Sequence, residues 1–208
     1  MLLDRSEMIK AIKFLKPAIL KADESEQNTS DKIKALTHVH VKIEGDFCTM
    51  TAGDGYCGKR VILNHPSQLM LDEEKENEDG QFLIPRATLE AFETLCSKHK
   101  AKLEKSSRID HSLKFIDIFP DALESHKDRI EYNQPVGVVY PEIDRFFHTG
   151  ADPVEHLDAN ACVAIDALKE FTGNIQITFS GEDGPVYIQT EDMMFQAFFM
   201  VIERHDES

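Results

Sequence analysis

Apolar residues along the chain recur first at helical spacing and then in alternation, and this order repeats. Placing residues 6–20 at 100° intervals brings four apolar side chains into one stripe, namely Met8, Ile12, Leu15 and Ile19. Pro17 lacks a backbone donor, so we expect the helix to break near Lys16. The pattern therefore predicts an amphipathic first helix. Its polar side carries four lysines: Lys10, Lys13, Lys16 and Lys21.

Alternating residues follow this first helix. The stretch 36–43 alternates apolar and polar residues, Gly45 and Asp46 predict a turn, and 47–51 returns as the second strand of a hairpin. A third strand is predicted at 61–63. The first repeat is thus one helix followed by antiparallel strands.

Two further copies of the pattern follow. In the second, a short strand at 82–84 leads through Pro85 into a helix, and 114–119 reads as a strand. The apolar face of that helix comprises Leu89, Phe92, Leu95 and Cys96. In the third, Asp158 precedes a helix that Gly173 closes, and strands follow at 175–179, 186–188 and 195–202. The helix carries Cys162, Ile165, Leu168 and Phe171. Residues 121–150 show no decisive periodicity.

Charge excludes a simple nucleic-acid-coating protein. The 208 residues carry a net charge of −15, whereas affinity for phosphate backbones comes from clustered Lys and Arg. The basic residues are nevertheless concentrated on the first helix. Two interpretations of that helix stay open: a solvated surface helix, and a basic helix that faces a polyanion.

Catalytic and metal-binding motifs do not stand out. No Gly-x-Ser-x-Gly, Walker, Gly-x-Gly-x-x-Gly or His-Glu-x-x-His motif occurs. His38 and His40 share one face of a strand and form, with Asp54 or His65, the one weak metal-site candidate. We therefore expect no enzyme activity, no metal and no cofactor.

Cellular context is read from the cysteines and from hydropathy. Cys48, Cys57, Cys96 and Cys162 lie far apart, which is typical of reduced thiols in a cytoplasmic protein. No apolar run approaches the roughly 18 residues that span a bilayer. We expect a soluble protein without a signal peptide or membrane span, and with 41% hydrophobic residues it has enough apolar side chains for a core.

Several phrases, in their order along the chain, resemble bacterial DNA polymerase sliding clamps. The string LTHVHVKIEGDFCTMTAGDG at 36–55 is similar to a clamp hairpin that ends in Thr-Ala-Thr-Asp-Gly. FLIPRATL at 82–89 is similar to the strand and proline that open the second clamp helix, and VYPEIDR at 139–145 resembles the clamp segment Phe-Pro-Asp-Tyr-Arg. Residues 158–171, 184–188 and the closing strand resemble the last half of the final clamp domain.

The resemblance implies an α+β DNA-clamp fold built from repeated helix-plus-antiparallel-sheet half-units. Two clamp-like domains are expected, over 1–120 and 121–208, with their boundary between 120 and 150 and an incomplete second domain. Clamp helices line the hole of a ring and sheets form its outer shell, so an acidic protein meets duplex DNA only through its inner basic helices. The chain is short even for a two-domain clamp.

Site residues follow from the same resemblance. The implied contacts to duplex DNA, independent of sequence, are Arg5, Lys10, Lys13, Lys16, Arg86 and Lys98. The third helix adds only Lys169. The apolar partner pocket beside the last strand implies Met200 and Ile202, although the Met-Pro-Met-Arg ending of bacterial clamps is absent.

The implied function is a processivity factor for DNA replication or repair that encircles DNA as a homo-oligomer and tethers a polymerase or another clamp-binding protein. The alternative is an acidic interaction protein that regulates replication proteins without forming a ring. A metal-dependent enzyme using His38 and His40 is the third hypothesis.

Overall fold

The computed structural model describes residues 1–21, 31–65, 79–103, 115–125, 128–147, 159–181 and 184–201. The strands are β1 Leu2–Asp4, β2 His38–Glu44, β3 Phe47–Gly53, β4 Cys57–Asn64, β5 Gly80–Pro85, β6 Phe115–Ile118, β7 Ala122–Ser125, β8 Asp128–Glu131, β9 Ile175–Phe179, β10 Val186–Thr190 and β11 Phe195–Phe199. The helices are α1 Arg5–Leu15, α2 Asp31–Leu36, α3 Arg86–Leu103 and α4 Ala161–Leu168. Short 3-10 turns occupy Lys16–Ala18 and Asp144–Phe147.

The first helix forms where its capping and apolar residues predict it. The Asp4 carboxylate accepts hydrogen bonds from the backbone N–H groups of Ser6 at 2.7 Å and Glu7 at 3.1 Å, which satisfies two free donors of the first turn. The helix ends at Leu15, and Pro17 lies in the 3-10 turn that follows. The predicted apolar stripe is buried, which confirms the helical interpretation: Met8, Ile12, Leu15 and Ile19 are each at most 3% exposed.

Ten elements form one complete unit with internal symmetry. The order β1, α1, β2, β3, β4 repeats as β5, α3, β6, β7, β8. Each repeat lends its first strand to the other: β1 pairs with β6 at Leu3 and Ile116, and β5 pairs with β2 at Phe82 and Val41. Because the two halves exchange strands, neither half completes its sheet alone. Strands β7 and β8, at residues 122–131, continue the sheet that contains β1 and β6. The sequence analysis had assigned these residues to the second domain.

The last described elements form a half-unit. Here α4 is followed by β9, β10 and β11, which matches the third predicted repeat. Strand β11 pairs antiparallel with β4, so the sheet runs in the order β5-β2-β3-β4-β11-β10-β9. We call the β4–β11 junction the seam. At the seam Gly58 lies opposite Phe198, and a methyl group at Gly58 would overlap the Phe198 ring.

The sequence patterns missed or misplaced several elements. Leu36 ends helix α2 rather than beginning a strand, and β1, β7 and β8 carry no sequence signal at three or four residues each. The helix of the third predicted repeat is α4, which ends at Leu168. Phe171 therefore lies beyond the helix, although it still packs against the main core. These short elements are ordered by pairing with distant strands, which local periodicity does not reveal.

Candidate nucleic-acid and partner interfaces

Helices α1 and α4 lie on one face of the seven-stranded sheet. The sheet residues that face them, such as Val41, Met50 and Val61, belong to the same buried cluster as Met8 and Ile12 of α1. Helix α4 contacts β4 and β11, and α1 contacts α3 as well as the sheet. We call this side of the molecule the helix face and the opposite side the outer face.

Two predicted DNA contacts lie exposed on the helix face. Lys10 and Lys13 project from α1 into solvent, as the polar side of the predicted helix requires. They border a groove of about 660 Å³ between α1 and the half-unit. The opposite wall carries Glu170, Glu191 and Asp192, so the groove is not uniformly basic.

Arg5 does not lie on the exposed face, which contradicts its prediction as a DNA contact. Its side chain is buried at 6% exposure, and its guanidinium donates a hydrogen bond to the backbone carbonyl of Cys96. Arg5 therefore joins the first turn of α1 to α3. A helix projection alone missed this, because it does not show which polar positions a second helix covers.

Lys16 and Arg86 are engaged within the protein. The Lys16 ammonium lies 2.7 Å from Glu93 of α3. Arg86 pairs with Glu90 at 2.9 Å and also donates to the backbone carbonyls of Lys16, at 3.2 Å, and of Ile19. Both side chains thus join the end of the first helix to α3, and Arg86 also satisfies backbone carbonyls of the turn that follows α1. Lys98 lies within α3, and its side chain is outside the described part of the structure.

A second groove, of about 790 Å³, widens the basic region toward the half-unit. Besides Lys13 and Lys16 it is lined by Lys169, the one candidate from the third predicted helix, and by Lys21, which was not among the predicted contacts. Asp54, Glu93, Asp166 and Glu170 also line it. The described helix face therefore mixes both signs of charge, with the exposed lysines concentrated on and just after α1.

Lys59 is a buried lysine that the sequence patterns did not single out. It is 0% exposed, its ammonium donates a 2.6 Å hydrogen bond to the Lys169 carbonyl at the end of α4, and it lies 4.5 Å from the centre of the Phe14 ring. Burial lowers the pKa of Lys59 to about 8. It links the half-unit to α1 across the seam. A lysine on an alternating strand normally indicates an exposed position, so sequence offered no clue.

One segment crosses the outer face and ties the two units together. We call residues 134–147 the strap. The Gln134 side-chain amide exchanges hydrogen bonds with the backbone of Leu83 on β5, at 2.9 and 3.0 Å. Farther along, the Tyr140 ring stacks on His40 of β2 with centroids 5.1 Å apart. The strap thus follows the order of the strands from β5 toward the seam.

At the seam the strap packs against both β4 and β11. Asp144 forms an ion pair with Arg60 of β4, and the rings of Phe146 and Phe147 lie 5.0 and 5.1 Å from the Phe198 ring. Met200, a predicted partner contact, packs against this cluster, and its backbone N–H donates to the Tyr56 carbonyl at 2.9 Å. Ile202 lies outside the described residues.

The histidines and cysteines of the sequence analysis are placed as follows. His38 contacts the Lys34 carbonyl, His40 lies beneath Tyr140, and burial lowers the pKa of both imidazoles. Within the described ranges no cluster of three or more His, Cys, Asp or Glu side chains is suited to hold a metal ion. Cys48, Cys57 and Cys96 are buried free thiols, and Cys162 is an exposed one. None of the described helices has the length and apolar character to cross a membrane.

Comparison with solved structures identifies the class of fold. The chain superposes on a putative DNA polymerase III beta subunit from Eubacterium rectale with a TM-score of 0.67 and 12% identity, over 97% of this chain and 64% of that one. The beta chain from Streptococcus pneumoniae gives 0.67 and 15%, over 98% and 64%. A sliding clamp from Pseudomonas aeruginosa bound to griselimycin gives 0.70 and 10%, over 98% and 65%.

These similarities confirm the α+β clamp fold that the sequence phrases implied. At 10–15% identity they show the fold alone, and the chain spans less than two thirds of the length of these clamps. No protein-family model matches the sequence. A search of curated proteins also found no match.

Proposed function

We propose that this protein is a non-enzymatic, clamp-like processivity factor for DNA replication or repair, which encircles duplex DNA as a homo-oligomer. The observation that carries the proposal is the seven-stranded sheet, in which one complete clamp unit and one half-unit join edge to edge with α1 and α4 on one face. We propose a boundary between the units after residue 131, at the end of β8. The proposed compartment is the cytoplasm.

Exposed lysines supply the proposed DNA contact. Lys10 and Lys13 are solvent-facing on α1, and Lys21 extends the same region. Because backbone phosphates are attracted by charge alone, such contacts hold DNA without reading sequence and allow it to slide. The net charge of −15 then disfavours binding elsewhere on the protein.

The outer surface at the end of β11 supplies the proposed partner site. Met200 is partly buried there, and Tyr56, whose carbonyl accepts from the Met200 N–H, is 68% exposed. Flexible Met and aromatic side chains form adaptable docking surfaces for apolar peptide side chains. The partners we propose are a polymerase or another clamp-binding protein.

The DNA contact is tested by the salt dependence of duplex binding, measured by fluorescence anisotropy. We expect Lys10→Ala/Lys13→Ala to weaken binding and to reduce the slope of log K against log salt by about 2, since each phosphate contact contributes roughly 0.9. The matched control is Lys34→Ala/Lys42→Ala, which removes the same charge from α2 and from the outer side of β2. Equal losses in both double variants, or no duplex binding at low salt, would contradict the proposal.

A further inference from the structure

Both grooves of the helix face are lined by the same lysine and the same carboxylate. Lys13 of α1 and Glu170, which lies two residues beyond the end of α4, border each of them. Glu170 therefore lies between Lys10, which lines the first groove, and Lys21, which lines the second. These three exposed lysines are the proposed DNA contact. A negative charge is thus placed within the surface that would receive the phosphates.

The backbone at Glu170 adopts a conformation that disfavours a side chain. Its φ is 71°, in the left-handed region that glycine adopts without steric cost. Glu170 directly follows Lys169, the last capping residue of α4, where glycine is the usual residue, and the nearest glycine is Gly173. A glutamate held in this conformation indicates a use for its carboxylate that glycine could not supply.

Glu191 adds a second carboxylate to the wall opposite the lysines of α1. Glu170 and Glu191 are both exposed and both line the first groove. Asp192 lies beside them, but it also shapes the turn between β10 and β11: its carboxylate accepts from the Thr190 hydroxyl at 2.5 Å and from the Met194 N–H at 3.0 Å. The two glutamates can therefore be neutralised without removing the bonds that hold this turn.

We propose that Glu170, together with Glu191, limits the affinity for duplex DNA by competing with backbone phosphates for the lysines of α1. A phosphate that approaches Lys13 is attracted by the ammonium and repelled by the carboxylates across the groove. The opposed charges weaken the contact without abolishing it, as a protein that moves along DNA requires. This inference deepens the proposed function and rests on its DNA contact, because it names the groups that set the strength of that contact.

A purely structural role for Glu170 makes a different prediction. Burial lowers the pKa of Lys59, and the negative charge of Glu170 is among the groups that act in the opposite direction. If compensation of Lys59 were the whole role of Glu170, its neutralisation would lower stability and leave DNA affinity unchanged. Duplex affinity and thermal stability measured on the same variants separate the two roles.

Duplex binding by the full chain at low salt, measured by fluorescence anisotropy, tests the proposal. We expect Glu170→Gln and Glu191→Gln each to raise the affinity about two- to threefold, because unit charges roughly 7–10 Å apart in water interact by an equivalent free energy. The gain should shrink as salt is added. Glu142→Gln is the matched control: it removes the same charge from an exposed position on the strap and should leave the affinity unchanged.

Glu170→Gly tests the backbone conformation separately from the charge. It removes the same charge as Glu170→Gln but suits a φ of 71°, so its unfolding midpoint should lie about 1–3 °C above that of Glu170→Gln. Both variants should show the same gain in duplex affinity. A midpoint no higher than that of Glu170→Gln would contradict the proposal.

The outcomes distinguish this inference from the proposed function. Unchanged affinity in Glu170→Gln and Glu191→Gln, with weaker binding by Lys10→Ala/Lys13→Ala, would overturn the inference and leave the proposed DNA contact standing. An equal gain in Glu142→Gln would also overturn it, because net charge alone would then explain the effect. Absence of duplex binding by the natural protein and by every variant would contradict the proposed function and the inference together.

Discussion

The complete unit and the half-unit begin with similar helices that end up in different surroundings. Both helices are capped by a side chain: Asp4 accepts from the N–H of Ser6 for α1, and Asn160 accepts from that of Cys162 at 2.9 Å for α4. Yet α1 buries six of its eleven residues, whereas Ala167 is the one buried residue of α4. Local sequence thus forms the helix, and the neighbouring half-unit determines how much of it is covered.

Helix α4 is apolar and yet largely uncovered by the other described elements. The α4 sequence ACVAIDAL is more apolar than that of α1 and carries no basic residue, so it is poorly suited to contact DNA. The exposed Ile165 and Leu168 are apolar side chains that the other described elements do not cover. The proposed DNA contact therefore falls on α1 rather than on α4.

The largest difference between α1 and α4 is expected when one isoleucine in each helix is replaced by alanine. Ile12→Ala removes a side chain that is 1% exposed in the core, and we expect a loss of about 2–5 kcal/mol in the free energy of unfolding. Ile165→Ala is the same change at 62% exposure and should cost less than about 0.5 kcal/mol in dilute protein. Urea unfolding at low concentration measures both. Similar costs would show that α4 is as well covered as α1.

The role of Lys59 between the two units can be tested by measuring the free energy of unfolding as a function of pH. Its pKa falls from 10.5 in the unfolded chain to about 8 in the folded protein, so the unfolded chain binds more protons between these values and stability from this group rises with pH. We subtract the free energy of unfolding of Lys59→Met from that of the natural protein. This difference should increase by up to ~3 kcal/mol between pH 8 and 10.5.

The Lys59 experiment needs this difference because other groups titrate nearby. Burial raises the pKa of the Cys48 and Cys57 thiols from 9.0 to about 12, which lowers stability as pH rises above 9. The Cys48 effect is common to both proteins and cancels in the subtraction. Cys57 interacts with Lys59, so both proteins are compared with Cys57→Ala already in place. A difference that stays constant with pH would mean that Lys59 titrates normally and does not link the units as described.

Gly58→Ala tests the packing of the seam. The added methyl would overlap the Phe198 ring, so we expect a loss of about 1–3 kcal/mol, measured by thermal or urea unfolding. Gly80→Ala on β5 is the matched control, because nothing lies within 4 Å of the new methyl group there. If the control is destabilised as much as Gly58→Ala, the seam packing is not the cause.

The smallest effect is expected at the strap. Asp144 is 60% exposed and its partner Arg60 is 7% exposed, and Asp144→Asn keeps an acceptor oxygen for the buried guanidinium, so the change should cost about 1 kcal/mol in the free energy of unfolding. High salt should reduce that cost further. A loss comparable with that of Ile12→Ala would indicate that the ion pair, rather than the rings of Phe146 and Phe147, holds the strap.

Sequence periodicity predicted the elements that bury their own apolar residues. The stripe of α1 and the alternating β2–β3 hairpin were readable because local spacing and burial coincide at Met8, Ile12, Val39 and Val41. The strand exchange of β1 and β5 was not readable, because it depends on pairing with residues far along the chain. The clamp resemblance implied repeated half-units through the order of several short sequence segments, but it did not predict the exchange of strands between them.

The candidate site was predictable only in part, for the same reason. Lys10 and Lys13 lie on a side of α1 that is exposed among the described residues, as the helical projection predicted. Arg5 is covered by α3, and Lys16 and Arg86 bind groups that only tertiary packing brings close. Exposure of a helix position thus depends on the neighbouring helix, which periodicity does not describe.

Retention on circular DNA tests the central claim most directly. The protein is incubated with a nicked circular plasmid at low salt, raised to physiological salt, and passed through a sizing column before and after the plasmid is cut once. The account predicts that the protein co-elutes with the circle and is released by linearisation, because a ring leaves DNA only at an end. Equal retention on both forms, or none on either, would contradict a clamp that encircles DNA.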